Sequence, residues 1–236
     1  MTTLFTTRPA RALAVFAHPD DPDVGCGGTI AAWSDAGCEV HVAICTDGEK
    51  GASVAGTDPG ALVARRSREV EASARILGVS KVHRMGRRDG EFENDLDLRR
   101  ELVGLIRAIR PDVVICPDPI AVFFGERYYN HRDHRILGWA ALDAVAPAAA
   151  SPLYFPEMGP PHAVDVVLLS GSLEPSVVVD ISGTVSRKAD AIACHESQFT
   201  DTGEWFRSVV HERAEEAGAL VGVSFAEAFR RISLGA

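Results

Sequence analysis

The sequence lacks several features that would have fixed its class at once. No stretch approaches the roughly 18 consecutive apolar residues of a membrane-crossing helix, so a spanning protein is not expected. Positive charge is in deficit: 24 Lys and Arg stand against 33 Asp and Glu, a net charge of −9. That balance argues against nucleic acid or an anionic membrane as the main partner and favours a small molecule. The five cysteines, Cys26, Cys38, Cys45, Cys116 and Cys194, are odd in number, widely spaced and without a CxxC pair. They read as reduced, mostly buried thiols of a cytoplasmic protein, and exclude a disulfide framework or a thiolate metal site. The first apolar run, ALAVFA at 12–17, is too short for a secretory signal and ends at His18, so it reads as a strand. No internal repeat or disordered tract is visible. The remaining composition, 46% hydrophobic and 24% charged over 236 residues, is that of a soluble globular chain with enough length for a full core. One domain spanning 1–236 is expected.

Short β-rich runs alternate with helical patterns. ALAVFA (12–17), EVHVAICT (39–46), KVHRM (81–85) and DVVIC (112–116) are the strands of the first half, and AVDVVLLS (163–170) and SVVVDI (176–181) follow later. Strand–helix alternation is the signature of βαβ units, so the fold class expected is α/β, with a mostly parallel sheet flanked by helices. Leu98, Leu102, Leu105, Ile106 and Ile109 keep helical spacing over 96–109 until Pro111 stops them. A second helix is expected over 61–77, with Arg65, Arg66, Arg68, Glu69 and Glu71 along its wetter side. A long aromatic-bearing loop is read at 118–130, a helix from His131 to Val145, and mostly helix after 181.

In an open parallel sheet, ligands bind beyond the carboxyl ends of the strands. The residues expected there are polar: His18, Asp20, Asp21 and Asp23 after the first strand, Thr46 to Glu49 after the second, Arg87, Arg88 and Asp89 after the third, and Asp118 after the fourth. A second cluster, NHRDHR at 130–135, sets His131 and His134 on one helix face. Two histidines from here, with His18 and an aspartate, offer enough nitrogen and oxygen donors for Zn²⁺. Blander explanations stand beside this one. Asp21 could cap a helix starting at Pro22, with Asp23 favoured by the helix dipole. The two histidines could mark a solvated helix start, and GCGG at 25–28 could be a degenerate dinucleotide loop. The last conflicts with the negative charge of 18–23, where a pyrophosphate would have to sit.

AHPDD directly after the first strand and HRDH at the head of a later helix resemble the LmbE-like, or PIG-L, family of zinc-dependent N-deacetylases. GCGGTIA (25–31), TDGEKG (46–51), the RxxE pair Arg66 and Glu69, LGV (77–79), RPDVV (110–114) and HESQ (195–198) stand in the family's order. The resemblance implies a Rossmann-like sheet with the active site at the strands' carboxyl ends. It also implies hydrolysis of an N-acetyl group from an N-acetylglucosamine-containing small molecule or glycoconjugate. By that pattern His18, Asp21 and His134 match the ligands of Zn²⁺, which Fe²⁺ could replace, and Asp20 matches the general base. His131 matches the residue that stabilises the oxyanion in protonated form, Asp133 the one that orients it, and Arg66 and Asp89 the sugar contacts. Homo-oligomers occur among family members. An amidase acting on a larger acyl group and a non-catalytic sugar-binding homologue are the alternatives. Two departures stand out: Pro22 and Asp23 follow HPDD where the family usually has glutamate, and Ala52 replaces a substrate-contacting glutamate of the mycothiol-pathway deacetylase.

Overall fold

The structure, a computed structural model, describes residues 1–126, 128–199 and 203–235. In chain order its elements are β1 (Thr3–Leu4), β2 (Arg11–Phe16), α1 (Asp21–Asp35), β3 (Glu39–Thr46), α2 (Pro59–Leu77), β4 (Lys81–Arg87), α3 (Leu96–Ile109) and β5 (Val113–Pro117). There follow β6 (Phe123–Phe124), β7 (Tyr128–Tyr129), α4 (Arg132–Asp143), β8 (Val166–Ser170), β9 (Val177–Asp180), α5 (Val185–Ala193), α6 (Glu196–Phe199), α7 (Gly203–Ala219) and β10 (Ala226–Ser233). Eight strands form one sheet in the order β1-β9-β10-β8-β5-β2-β3-β4. The stretch β4-β3-β2-β5-β8 is parallel throughout, and only β10 runs antiparallel, between β8 and β9.

The central strands read as unbroken apolar runs because both faces are covered. On one face Ala12, Ala14, Phe16, Val113 and Ile115 pack under α1, α2, α5 and α7. On the other Leu13, Val15, Val114 and Cys116 pack under α3 and α4. α3 forms where its spacing predicts, with Asp95 accepting from the Leu98 N–H as N-cap. α2 has Asp58 as N-cap and Gly78 in the left-handed conformation as C-cap. Contrary to expectation, Arg66 and Glu69 are buried on α2, not on a wet face.

Other expectations also change. Residues 226–233, in the stretch expected to be mostly helix, are β10; Phe229, fully buried in the sheet core, anchors this strand. The aromatic loop contains the β6–β7 hairpin. Asp20, not Asp21, is the N-cap residue of α1, so Pro22 is the helix's second residue, and the Asp20 side chain makes no capping bond.

α1 is broken at Cys26, whose φ of −155° is not helical. The break frees backbone groups inside the protein, and buried side chains take them up. Glu227 of β10 accepts from the Gly28 N–H at 3.0 Å and the Thr29 N–H at 2.7 Å. Lys188 donates to the Val24 carbonyl at 2.8 Å and to Glu227 at 2.5 Å. A Cβ on Gly28 would come within 2.7 Å of Ile181, and one on Gly25 within 2.8 Å of Phe16. GCGG therefore serves close packing at a helix break and is not a phosphate loop. The first turn of α1 is fixed from beneath, which holds Asp20 and Asp21 at the sheet's edge.

Candidate metal centre and active site

The chain leaves β2 toward β3 and β4 on one side, then returns through α3 to place β5 on the other. The sheet thus changes direction between β2 and β5, and the crevice beyond their carboxyl ends is where an open α/β sheet binds its ligand. His18, Asp20 and Asp21 come to this crevice from β2. Asn130, His131, Asp133 and His134 come to it from the segment after β5.

Three of these residues converge. His18 Nδ1 lies 3.1 Å from Asp21 Oδ2, His134 Nε2 lies 3.1 Å from the same oxygen, and the two ring nitrogens are 3.2 Å apart. Ligand atoms around a tetrahedral ion bound at about 2.0–2.1 Å sit about 3.3 Å from one another, so the triangle has the size of one face of such a site. Two imidazoles and one carboxylate are also the donor set of a catalytic site with an open fourth position. The residues fit a divalent metal ion. His18, His131 and Asp133 form a second, looser group within 4.8 Å.

The surroundings orient these donors. Asn130 donates its amide to the Ala121 carbonyl at 2.9 Å, which turns its oxygen to His134 Nδ1, also at 2.9 Å. His134 Nδ1 is therefore protonated and Nε2 is left free for ligation. His18 Nε2 faces Asp89 Oδ1 and Asp133 Oδ2, each at 3.4 Å. Asp133 also accepts from the Gly90 N–H at 2.7 Å, and Asp89 from the Lys50 N–H at 3.2 Å. Burial alone would push His18 down, but the charge of Asp21 and the hydrogen bonds of Asp133, Asp21 and Asp89 raise it to about 12. For His134, too, burial works downward and Asp21 outweighs it, with a net rise. Desolvation works to raise half-buried Asp21, yet the charges of His134 and His18 hold it well below the usual carboxylate range. The crevice strongly favours added positive charge.

Asp20, adjacent to the triangle, has its carboxyl raised by burial and by the charge of Asp21. Arg66 opposes that rise and grips Asp20 Oδ1 at 2.6 Å while donating to the Gly48 carbonyl at 3.0 Å. Arg66, expected at the sugar, is thus first a holder of Asp20, though it also lines the pocket. The Asp133 carboxylate does not reach the His131 ring; instead its backbone N–H meets His131 Nδ1 at 3.4 Å. That contact leaves the proton on His131 Nε2. Burial and the charge on His18 lower His131 from its ordinary value, which favours the neutral ring over the protonated one expected, while Asp133 works in the opposite direction. Asp89 does line the pocket, which holds about 350 Å³ and is bordered also by Lys50 and Gln198.

Sequence reasoning assigned no role to Asn130, although its position four residues before His134 was the available signal. The late HESQ segment also acquires roles. Ser197 gives its N–H and hydroxyl to Glu69, Gln198 donates to the Gly51 carbonyl at 3.0 Å, and buried His195 pairs with Asp23 at 2.5 Å. A further cleft, of about 320 Å³ between α7 and β10, is mostly apolar and carries no cluster of ligating groups; its Lys188 and Glu227 satisfy one another.

Fold and crevice together define an α/β protein of Rossmann-like order with a His/Asp/His cluster that could hold a metal ion at its switch point. Residues 13–145 match the GlcNAc-PI de-N-acetylase (PIG-L) family. The chain is 33% identical over 224 residues to the diacetylchitobiose deacetylase of Thermococcus kodakarensis, covering 93% of this chain and 82% of the relative. It is 30% identical over 204 residues to a probable N-acetyl-alpha-D-glucosaminyl L-malate deacetylase of Bacillus anthracis, covering 79% and 80%. The solved N,N'-diacetylchitobiose deacetylase of Pyrococcus horikoshii superposes with a TM-score of 0.87 at 32% identity, over 95% of this chain and 84% of that one. The chain belongs to the PIG-L family.

Proposed function

We propose that this protein is a metal-dependent hydrolase that removes the acetyl group from an N-acetylglucosamine-containing small molecule. The observation that carries the proposal is the 3.1–3.2 Å triangle of His18, Asp21 and His134 with an arginine-held carboxylate, Asp20, beside it. Zinc, or ferrous iron in its place, would supply there a water of lowered pKa and a Lewis acid for the acyl oxygen.

The chain's own residues do the rest. Asp20, raised by burial, accepts the proton of the attacking water and returns it to the departing nitrogen, because an amine anion is too basic to leave unprotonated. Arg66 keeps that carboxylate aimed into the pocket and stops it from turning toward the ligand triangle. His131, which lines the pocket with its ring 4.9 Å from that of His18, presents its Nε2–H to the carbonyl oxygen as charge grows there, a contribution that a neutral imidazole can make. Asp89 borders the space left for the sugar.

The test pairs metal analysis with acetate detection on a panel of N-acetylglucosamine conjugates. Zinc-loaded protein is expected to release acetate. Asp20→Asn is expected to keep its metal and lose roughly 10²–10⁴-fold in turnover. A near-normal rate in that variant removes Asp20 as the base, and turnover only of added longer-acyl analogues, with no acetate released from the N-acetyl conjugates, makes the protein an amidase of different substrate range.

A further inference from the structure

On another side of His131 lies a second cleft of about 470 Å³, lined by Tyr128, Tyr129, His131, Arg132 and Arg135. His131 is shared by the two spaces, so whatever lies in this cleft adjoins the group being cleaved. Tyr128 and Tyr129 are 55% and 66% exposed on β7, with ring faces available to stack on a sugar or a planar group.

The two arginines lie three apart on α4 and share a helix face. They differ in what holds them. Arg132 donates to the Phe92 carbonyl at 2.7 Å and pairs with Glu93. Arg135 has no such partner: its Nε is buried without an acceptor, and no carboxylate of the described residues pairs with it. The chain is rich in acidic residues, yet the Arg135 guanidinium in the cleft that shares His131 with the catalytic pocket has none of the described ones as partner. A half-buried cation without a counter-charge is costly, and an anionic ligand group removes that cost.

We propose that this cleft is the aglycone subsite and that it takes an aglycone bearing a carboxylate or a phosphate, met by Arg135. The inference rests on the deacetylase reading and adds the substrate's charge. The guanidinium fork suits either anion in bidentate contact, and Arg132, pinned nearby, adds positive potential. Neutral conjugates would be handled without that contact.

Initial rates of acetate release by the zinc-loaded protein are compared for N-acetylglucosaminyl malate, N-acetylglucosamine 1-phosphate and neutral N,N'-diacetylchitobiose at low salt. At least one anionic substrate is expected to exceed the neutral one by about tenfold in kcat/KM, the scale of one charge-assisted contact. Which anion is preferred identifies the group. Arg135→Gln is expected to raise KM for the anionic substrate and bring the anionic-to-neutral ratio close to one, and Arg135→Lys to recover part of it. No charge preference in the unmodified protein overturns the subsite, as does an Arg135→Gln variant that slows all three substrates equally. Absence of acetate release from every substrate overturns the deacetylase reading and this inference with it, whereas release without preference overturns the subsite alone.

Discussion

Asn130→Ala tests how far metal binding depends on a residue that never touches the metal. The side chain makes two bonds at 2.9 Å, accepting from His134 Nδ1 in a part-buried contact and donating to the Ala121 carbonyl in a buried one. Removing it leaves His134 free to rotate or to change tautomer, and leaves the carbonyl without a donor. Loss of such an outer partner typically weakens metal binding 10–100-fold, or about 1.4–2.7 kcal/mol. The orphaned carbonyl adds a stability cost of about 1–3 kcal/mol that is independent of metal. Asn130→Asp separates the two effects, because a carboxylate still accepts from His134 but cannot donate to Ala121. It is expected to bind metal as well as the unmodified protein, or better, while remaining less stable in chelator. Competition against a chromophoric chelator gives the affinity, and urea unfolding in excess chelator gives the stability. A folded Asn130→Ala protein whose zinc affinity stays within twofold of the original would refute the argument.

Arg107 offers a stability test away from the site. It is buried on α3 and donates to the carbonyls of Ala148, Ala149, Ser151, Tyr154, Phe155 and Gly159, holding the segment before β8 without help from any carboxylate. Arg107→Ala should cost roughly 3–5 kcal/mol by urea unfolding, a loss under 1 kcal/mol contradicting the role, and Arg107→Lys should recover little because an ammonium cannot fork. His83 gives a pH test: burial, then the charges of His41 and Lys81, lower its pKa from 6.5. Its unfolded form binds a proton more readily than the folded form, so the contribution is full above pH 6.5 and is lost as acidification proceeds below it. His83→Gln should make stability fall less steeply between pH 7 and 5, and an unchanged slope would exclude His83 from that fall.

The sheet's central strands were legible because burial on both faces leaves continuous apolar runs bounded by turns, and α3 because its apolar spacing and its stop at Pro111 agree. β10 was not. AEAFRRIS has the alanine, glutamate and arginine of a helix, and only its place between β8 and β9, with Glu227 buried against α1, makes it a strand. Arg66 and Glu69 were misplaced for a related reason. A charge on a helix normally marks the wet side, but these two meet Asp20 and Ser197, partners distant in sequence that one helix's periodicity cannot reveal. The convergence of His18, Asp21 and His134 was legible because short motifs carry these residues. Their supporting groups were not, since Asn130 and His195 act through contacts that exist only after folding.

The same contacts explain how three aspartates within four residues avoid competing for one ion. Asp21 and Asp23 are two apart on α1, so they point to different sides of the helix. Asp21 faces His18 and His134, while Asp23 faces inward to His195, which is wholly buried. Asp20 lies outside the first helical turn, where Arg66 draws it away from the ligand triangle. Each carboxylate therefore has its own partner: the His18 and His134 rings for Asp21, the Arg66 guanidinium for Asp20 and the His195 ring for Asp23. α2 makes this division rigid, because Arg66 fixes Asp20 and Glu69, one helical turn on, fixes the segment that carries His195. Pro22 fits between them without cost, since the second residue of a helix has no intrahelical acceptor for an N–H. The departure from the family's HPDDE thus leaves the His18–Asp21–His134 triangle intact and adds a buried Asp23–His195 brace behind it.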